Sequence, residues 1–131
     1  MFDQPFRDSA RSSRLQARLV ALADAVPDVV EAVLSTEDGF EVASIGRSSV
    51  SPAKVAAMTS SLHAVGATMS DESGLAACRN VIVEAAAGTI VIVRIATRET
   101  ALLLTIVGRH GALLGTLLFA SREFAAAAAK E

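Results

Sequence analysis

TIVIVRI at residues 89–95 and ALLLTIV at 101–107 are two nearly continuous apolar runs, separated by a short and mostly polar linker. A strand that is apolar on both sides is usually covered on both faces of its sheet, whereas a strand with one face in solvent alternates apolar and polar residues. Helices must therefore cover both faces of the sheet that contains these runs. This requirement predicts a three-layer α-β-α sandwich.

The rest of the chain supplies three helices. A first helix is expected over 8–26 because apolar residues recur there at helical spacing: Leu15, Leu19, Leu22 and Val26. Ser51 and Pro52 form a helix start, since serine can accept from the first free N–H groups and proline suits the first helical position. They predict a second helix over 52–71, and a third helix follows Gly111.

Five strands are expected, and tight turns separate them. Glu37-Asp38-Gly39 is a hairpin signal, and Gly88 marks a second turn. The predicted strands are 29–36, 40–45, 79–85, 89–96 and 100–107. The order is α-β-β-α-β-β-β-α, which predicts an α/β (α+β) fold with a five-stranded, mostly antiparallel sheet. We expect a flexible arm over 1–7, one domain over 8–125 and a fraying tail over 126–131.

Composition favours one protein-binding domain. A chain of 131 residues can bury one core, and 52% hydrophobic residues argue against disorder. Tryptophan and tyrosine are absent and the net charge is −2, which argues against nucleic-acid binding. The stretch MFDQPFRDSARSSR lacks the apolar segment of a signal peptide, and the apolar runs are too short to span a bilayer. The expected location is the cytoplasm, which fits the single cysteine.

The second helix carries two stripes of interest. Its apolar stripe is expected to face the sheet: Val55, Met58, Leu62, Val65 and Met69. The other side is a band of mostly small side chains: Ala53, Ala57, Ser60, Ala64, Ala67 and Asp71. This band predicts that a second helix packs there, most simply the same helix of another copy. A weakly polar solvent face is the alternative. Lys54, His63 and Glu72 form a polar rim and are candidate partner-binding residues.

The first helix carries an arginine stripe at spacings of four, three and four. Its members are Arg7, Arg11, Arg14 and Arg18. A stripe of this kind is most often a solvated charged face. Contact with an acidic partner or with lipid headgroups at a membrane surface is the alternative.

Catalytic equipment is sparse in the sequence. His63 and His110 lie on different elements, and neither has carboxylate or thiolate neighbours at metal-ligand spacing. His63 is expected at the surface, and Cys78 is expected as a small packed residue at a strand start. Residues 109–111 precede a helix whose first N–H groups could hold an anion, although an ordinary turn explains them equally well. We expect no enzymatic activity, no metal and no cofactor.

The chain resembles the roadblock family, also called the dynein light-chain roadblock domains. The resemblance rests on the joint order of four segments: VPDVVEAVLSTEDGFEVAS, CRNVIVEAAAGTIVIVRI, ALLLTIVG and GALLGTLL. The resemblance extends over roughly residues 15–124, nearly the whole domain. Within them, Asp38-Gly39, Gly88 and Gly115 are turn or packing positions that are weak signals when taken alone.

The resemblance implies a roadblock/profilin-like fold and a homodimer. In the family, the strand after the second helix pairs with its copy and the second helices lie side by side. Here those elements would be the strand at 79–84, with Arg79, Val81 and Val83, and the small-residue band. Bacterial members commonly regulate a small Ras-like GTPase, which implies that partner here. The alternatives are a structural adaptor without effect on nucleotide turnover, and a small-ligand sensor or enzyme that uses residues 109–111.

Overall fold

A computed structural model describes residues 9–46 and 50–131. The described residues form eight elements, in this order: α1 (Ser9–Ala25), β1 (Val29–Thr36), β2 (Glu41–Gly46), α2 (Pro52–Glu72), β3 (Asn80–Ala85), β4 (Gly88–Ile95), β5 (Leu102–Arg109) and α3 (Leu114–Ala128). The predicted order of helices and strands is confirmed. The arm expected over 1–7 lies outside the described residues.

The five strands form one antiparallel sheet in the order β2-β1-β5-β4-β3. β5 is therefore central, and β2 and β3 are the two edges. Helix α1 packs on β1 and β2, α3 packs on β4 and β5, and the two helices contact each other. Helix α2 packs on the other face, chiefly against β1 and β5. The three-layer sandwich predicted from the apolar runs is confirmed.

The main core lies between the sheet and the layer of α1 and α3. It includes alternate residues of the central strands together with helical leucines and a phenylalanine: Leu15, Leu19, Ala32, Leu34, Val91, Val93, Leu104, Ile106, Leu117 and Phe124. The intervening strand residues point to the α2 face because successive side chains alternate. Leu103 on that face is as fully buried as Leu104 on the other, which explains the continuous apolar run of β5.

The hairpin between β1 and β2 follows the predicted Asp-Gly turn. Gly39 adopts φ +98°, a conformation that side-chain-bearing residues rarely accept. Thr36 fixes the turn from the strand end: its hydroxyl donates to Asp38 Oδ1 (2.6 Å) and accepts from the Phe40 N–H (3.0 Å). The position of the turn was therefore predictable from three residues of sequence.

Helix α3 extends into the predicted tail at 126–131. Helix α3 continues to Ala128, whose side chain is fully buried in the main core. The Glu131 carboxylate accepts hydrogen bonds from Arg14 Nε (2.7 Å) and Arg18 Nε (2.9 Å). Alanine is the strongest helix former, which favours the continuation of α3 through the alanine run.

Candidate interaction surface

Helix α2 packs on the sheet through a different side from the one predicted from the sequence. The side that faces the sheet is formed by Ala56, Thr59 and His63, which are buried. Four of the five residues of the apolar stripe expected there are exposed, and only Val55 is half-buried, so that prediction is wrong. Thr59 Oγ1 and Thr105 Oγ1 are hydrogen-bonded across the layer boundary at 2.6 Å. The buried polar residue Thr105 on β5 therefore favours the side of α2 that carries Thr59. The small side chain of Ala56 on the same side lets the helix lie close to the sheet.

The outward side of α2 presents large apolar side chains. Met58, Leu62, Val65 and Met69 are all exposed, with Val65 58% and Met69 64% accessible. These four residues are called the outer stripe below. A contiguous exposed apolar surface on a folded protein usually marks an interaction site. The pattern was visible in the sequence, but the sequence did not show which side of the helix met the sheet.

The outer stripe continues onto the edge of the sheet. Strand β3 pairs only with β4, so its other edge is open within the described part of the chain. Ile82 on this strand is 41% exposed. Met69 and Val81 line the same groove between α2 and β3, with a volume of about 380 Å³. Helix and strand lie close there, since a Cβ on Gly66 would be 3.1 Å from Val81 Cγ2.

The predicted small-residue band occupies the other flank of α2, towards the β1–β2 turn. Ser60 donates from its hydroxyl to the Glu37 carbonyl oxygen (2.7 Å). A Cβ on Gly39 would lie 3.5 Å from Ala57 Cα, so the turn already packs on this flank. Ala53 and Ala64 are exposed, and Ala67 is half-buried. The band therefore lies beside the helix–turn contact and away from the β3 edge.

Two of the three predicted rim residues are at the surface. Lys54 and Glu72 are exposed, near opposite ends of α2. His63 is buried against the sheet, so the prediction that it lies at the surface is wrong. Its Nε2 atom has no hydrogen-bond partner among the residues that the structure describes. The histidine cannot belong to an exposed rim while α2 is docked.

The arginine stripe of α1 is engaged within the chain. Arg11 is buried and lies 3.7 Å from the Glu99 carboxylate. Arg14 and Arg18 both bind Glu131, and together they hold the pKa of that carboxyl below its ordinary value. The expectation of a solvated face is therefore wrong for Arg11. Arg7 lies outside the described residues.

The residues considered for catalysis or ligand binding do not lie together in the fold. His110 is exposed in the turn after β5, and Arg109 Nε donates to Asp28 Oδ1 (2.7 Å). Cys78 is half-buried just before β3, as expected, and its thiol donates to the Asn80 carbonyl oxygen. Over residues 9–46 and 50–131, no group of three His, Cys, Asp or Glu residues is placed to hold a metal ion. None of the helices in those ranges is long and apolar enough to cross a membrane.

A groove between α1 and α3 was missed by the sequence reasoning. It has a volume of about 320 Å³, and its wall includes Phe119, which is 66% exposed. Phe124, five residues later, is buried in the core. The spacing of these two aromatic residues places them on different sides of one helix. This spacing was the feature of the sequence from which an exposed aromatic residue on α3 could have been predicted.

Comparisons with known proteins agree with this architecture. A family model described as Roadblock/LC7 domain matches residues 15–107. A crystal structure of a Roadblock/LC7 domain from Streptomyces avermitilis is 20% identical, with a TM-score of 0.76, covering 86% of this chain and 92% of that one. Myxococcus xanthus MglB is 13% identical, with a TM-score of 0.81 and coverages of 95% and 91%.

A further MglB structure, described as having a tetrameric arrangement, is 16% identical to this chain. Its TM-score is 0.85, and the alignment covers 98% of this chain and 95% of that one. A comparison with curated protein sequences gives no match. At these identities the solved structures establish the fold, while the family match rests on the sequence itself.

Proposed function

Because the chain belongs to the Roadblock/LC7 domain family, we propose that it is a homodimeric protein-interaction module that regulates or scaffolds a small Ras-like GTPase. The outer stripe is the observation that carries the proposal. It lies beside the open edge of β3, across a groove that Met69 and Val81 line. The chain is proposed to act in the cytoplasm and to contribute no catalytic group or cofactor.

The proposed dimer pairs β3 with β3 of a second copy and α2 with α2. Open edges that carry apolar residues tend to associate unless another chain or element covers them. Val81 and Val83 are half-buried on the α2 side of β3, and Ile82 is exposed on the other side. If the two-fold axis of the dimer passes beside β3, the second copy would cover both the strand edge and the outer stripe in one interface. Arg79 stands at the start of this edge, while the small-residue band is left at its margin.

The GTPase part of the proposal follows from the family resemblance, whose bacterial members commonly regulate small Ras-like GTPases. Solved neighbours with this fold include MglB from Myxococcus xanthus and a gliding protein, MglB, from Thermus thermophilus. Lys54 and Glu72 are exposed near the two ends of α2, beside the outer stripe. We infer that they border the surface on which the GTPase lands.

Calorimetry with the cognate GTPase tests this function. The dimer is expected to bind the GTP-analogue form and the GDP form with different affinities, because the switch loops differ between the two. Equal affinities would make the protein a scaffold, since a ligand that does not distinguish two states cannot shift them. Absence of binding to either form would overturn the GTPase role and leave a structural adaptor.

A charge reversal at Lys54 locates the proposed GTPase surface. Lys54→Glu is expected to slow association with the GTPase by about threefold or more while the dimer stays intact, because rim charges act mainly on encounter rates. Lys130→Glu is the matched control, since Lys130 is exposed beyond α3, a helix on the other face of the sheet. Equal effects of the two reversals would place the GTPase elsewhere.

A further inference from the structure

An arginine-lined notch opens beside the start of β3. It has a volume of about 310 Å³ and lies between β3, β4 and α3. Arg79 and Arg122 line it, together with Arg94, whose side chain lies on the α2 face because the preceding Val93 faces the main core, and its lining includes no carboxylate. Arg94 donates through Nε to Glu37 Oε2 (2.7 Å), whereas Arg79 and Arg122 have no acidic partner within the described ranges. The notch is therefore a cationic concavity, to which a carboxylate is complementary.

An unpaired acid stands at the other end of the same strand. Glu84 is exposed near the end of β3 and has no basic partner among the residues described. Within one chain, the notch and Glu84 lie at opposite ends of an extended six-residue strand. In an antiparallel pair of identical strands, the end of one strand lies beside the start of the other. Pairing of β3 with its copy would therefore bring each Glu84 towards the notch of the other chain.

The side-chain pattern of β3 selects one register for this pairing. Directly opposed residues point to the same face, so a two-fold axis must pass beside a single residue of each strand. An axis at Ile82 opposes Ile82 to its copy, Val81 to Val83, and Asn80 to Glu84. An axis at Val83 would oppose Ile82 to Glu84, and an axis at Val81 would oppose Asn80 to Ile82. Only the Ile82 register matches apolar with apolar and polar with polar residues.

This register also places Glu84 on the correct face of the sheet. Ile82 pairs with Val91, whose side chain lies in the core beneath α1 and α3. Asn80 and Glu84 share the face of Ile82 because strand side chains alternate. That face carries α3 and its Arg122, and Asn80 itself lines the notch. Glu84 of the second copy would thus stand opposite Asn80, at the mouth of the notch.

We propose that the Glu84 carboxylate of one copy enters the notch of the other and binds Arg79 and Arg122. This arrangement, called the charge latch, occurs twice in a symmetric dimer. It fixes the register of the β3 pair, since a shift of the axis to Val83 withdraws both carboxylates from the notches. The charge latch rests on the proposed homodimer and specifies which residues hold it in register.

Complementary charge reversals test the latch. The first variant, Glu84→Arg, places an arginine opposite the arginine-lined notch of the other copy. The second variant, Arg79→Glu with Arg122→Glu, makes the notch acidic, so that it faces the unchanged Glu84 of the other copy. Each variant is expected to weaken its own homodimer by about tenfold or more. When the two proteins are mixed, both latches become complementary. The mixed heterodimer is expected to form in excess of either homodimer, as counted by native mass spectrometry.

The controls separate failure of the latch from failure of the dimer. Arg98→Glu reverses an exposed arginine in the β4–β5 turn and is expected to leave self-association unchanged. Circular dichroism of each variant alone checks folding, and the substituted side chains are all exposed. A monomeric wild type would overturn the proposed dimer itself. A dimeric wild type whose reversed variants mix without any excess of heterodimer would overturn the latch alone.

Discussion

Thr59 and Thr105 show how a single pair of side chains orients a helix. Their hydroxyl groups are buried between α2 and the sheet and hydrogen-bond to each other. Turning the outer stripe inward would carry Thr59 to the surface and leave the Thr105 hydroxyl buried without this partner, at a cost of about 1–3 kcal/mol. The hydrophobic pattern of α2 was therefore a correct signal for a helix and a misleading signal for its orientation.

Thr59→Val is expected to destabilise the fold by about 1–2 kcal/mol, because the Thr105 hydroxyl would stay buried without its partner. The double variant Thr59→Val with Thr105→Val removes both hydroxyl groups and is expected to recover most of the loss. Chemical denaturation of the three proteins measures the free energies of unfolding. A double variant as unstable as the sum of the two single variants would contradict this account of α2.

Val65→Glu is expected to dissociate the dimer, because it places two charges in the centre of the proposed apolar interface. The dimer dissociation constant should rise by at least about tenfold. Ala64→Glu is the matched control, since Ala64 is an exposed neighbour on the flank away from β3. Analytical ultracentrifugation compares the two. If Ala64→Glu dissociates the dimer and Val65→Glu does not, the interface lies at the small-residue band instead.

At the scale of elements, α1 and α3 are held together at their ends as well as in the core. The Glu131 carboxylate joins Arg14 and Arg18 across the two helices. Both arginines lower the pKa of Glu131, so the charged form is favoured in the folded chain. The contact is exposed to solvent, and its contribution to stability is correspondingly small.

The pH dependence of this contact has a defined sign. A depressed pKa in the folded state means that the stabilisation is present above the unfolded pKa and is lost as the pH falls through the folded pKa. Glu131→Gln should therefore lower the melting temperature slightly at neutral pH and make no difference in strong acid. A gap between wild type and variant that widens on acidification would contradict the ion pair.

The edge strand β3 gives a second prediction at this scale. In the dimer, amides of Val81, Ile82 and Val83 should exchange with solvent as slowly as those of the central strands, because both edges of the strand would be paired. In monomeric Val65→Glu, the amides on the open edge should exchange faster. Hydrogen exchange read by NMR distinguishes the two states. Fast exchange at all three residues in the wild type would rule out strand pairing.

Sequence and structure agree best where periodicity alone decides the element. The apolar runs of β4 and β5, the Leu15–Leu19–Leu22 face and the Asp38-Gly39 turn are all as predicted. The candidate site was less predictable, because a helix with two similar stripes does not reveal which one meets the sheet. The buried position of His63 depends on that choice. The notch depends on Arg122 and Arg79, which are distant in sequence and converge only in the folded chain.

At the scale of the whole molecule, the two faces of the sheet differ in what they expose. The face covered by α1 and α3 contains the main core, whereas α2 alone covers the other and leaves its outer stripe in solvent. That asymmetry is expected if a second copy of the chain covers the outer stripe in the proposed dimer. The β3 edge joins the outer stripe to the notch, so one interface would use all three features.

The molar mass in solution tests the central claim most directly. Multi-angle light scattering on the purified wild type at micromolar concentration is predicted to give about twice the 13.5 kDa chain mass. Val65→Glu under the same conditions is predicted to give the mass of a single chain. A wild type that remains at 13.5 kDa across that concentration range would contradict the homodimer and everything proposed from it.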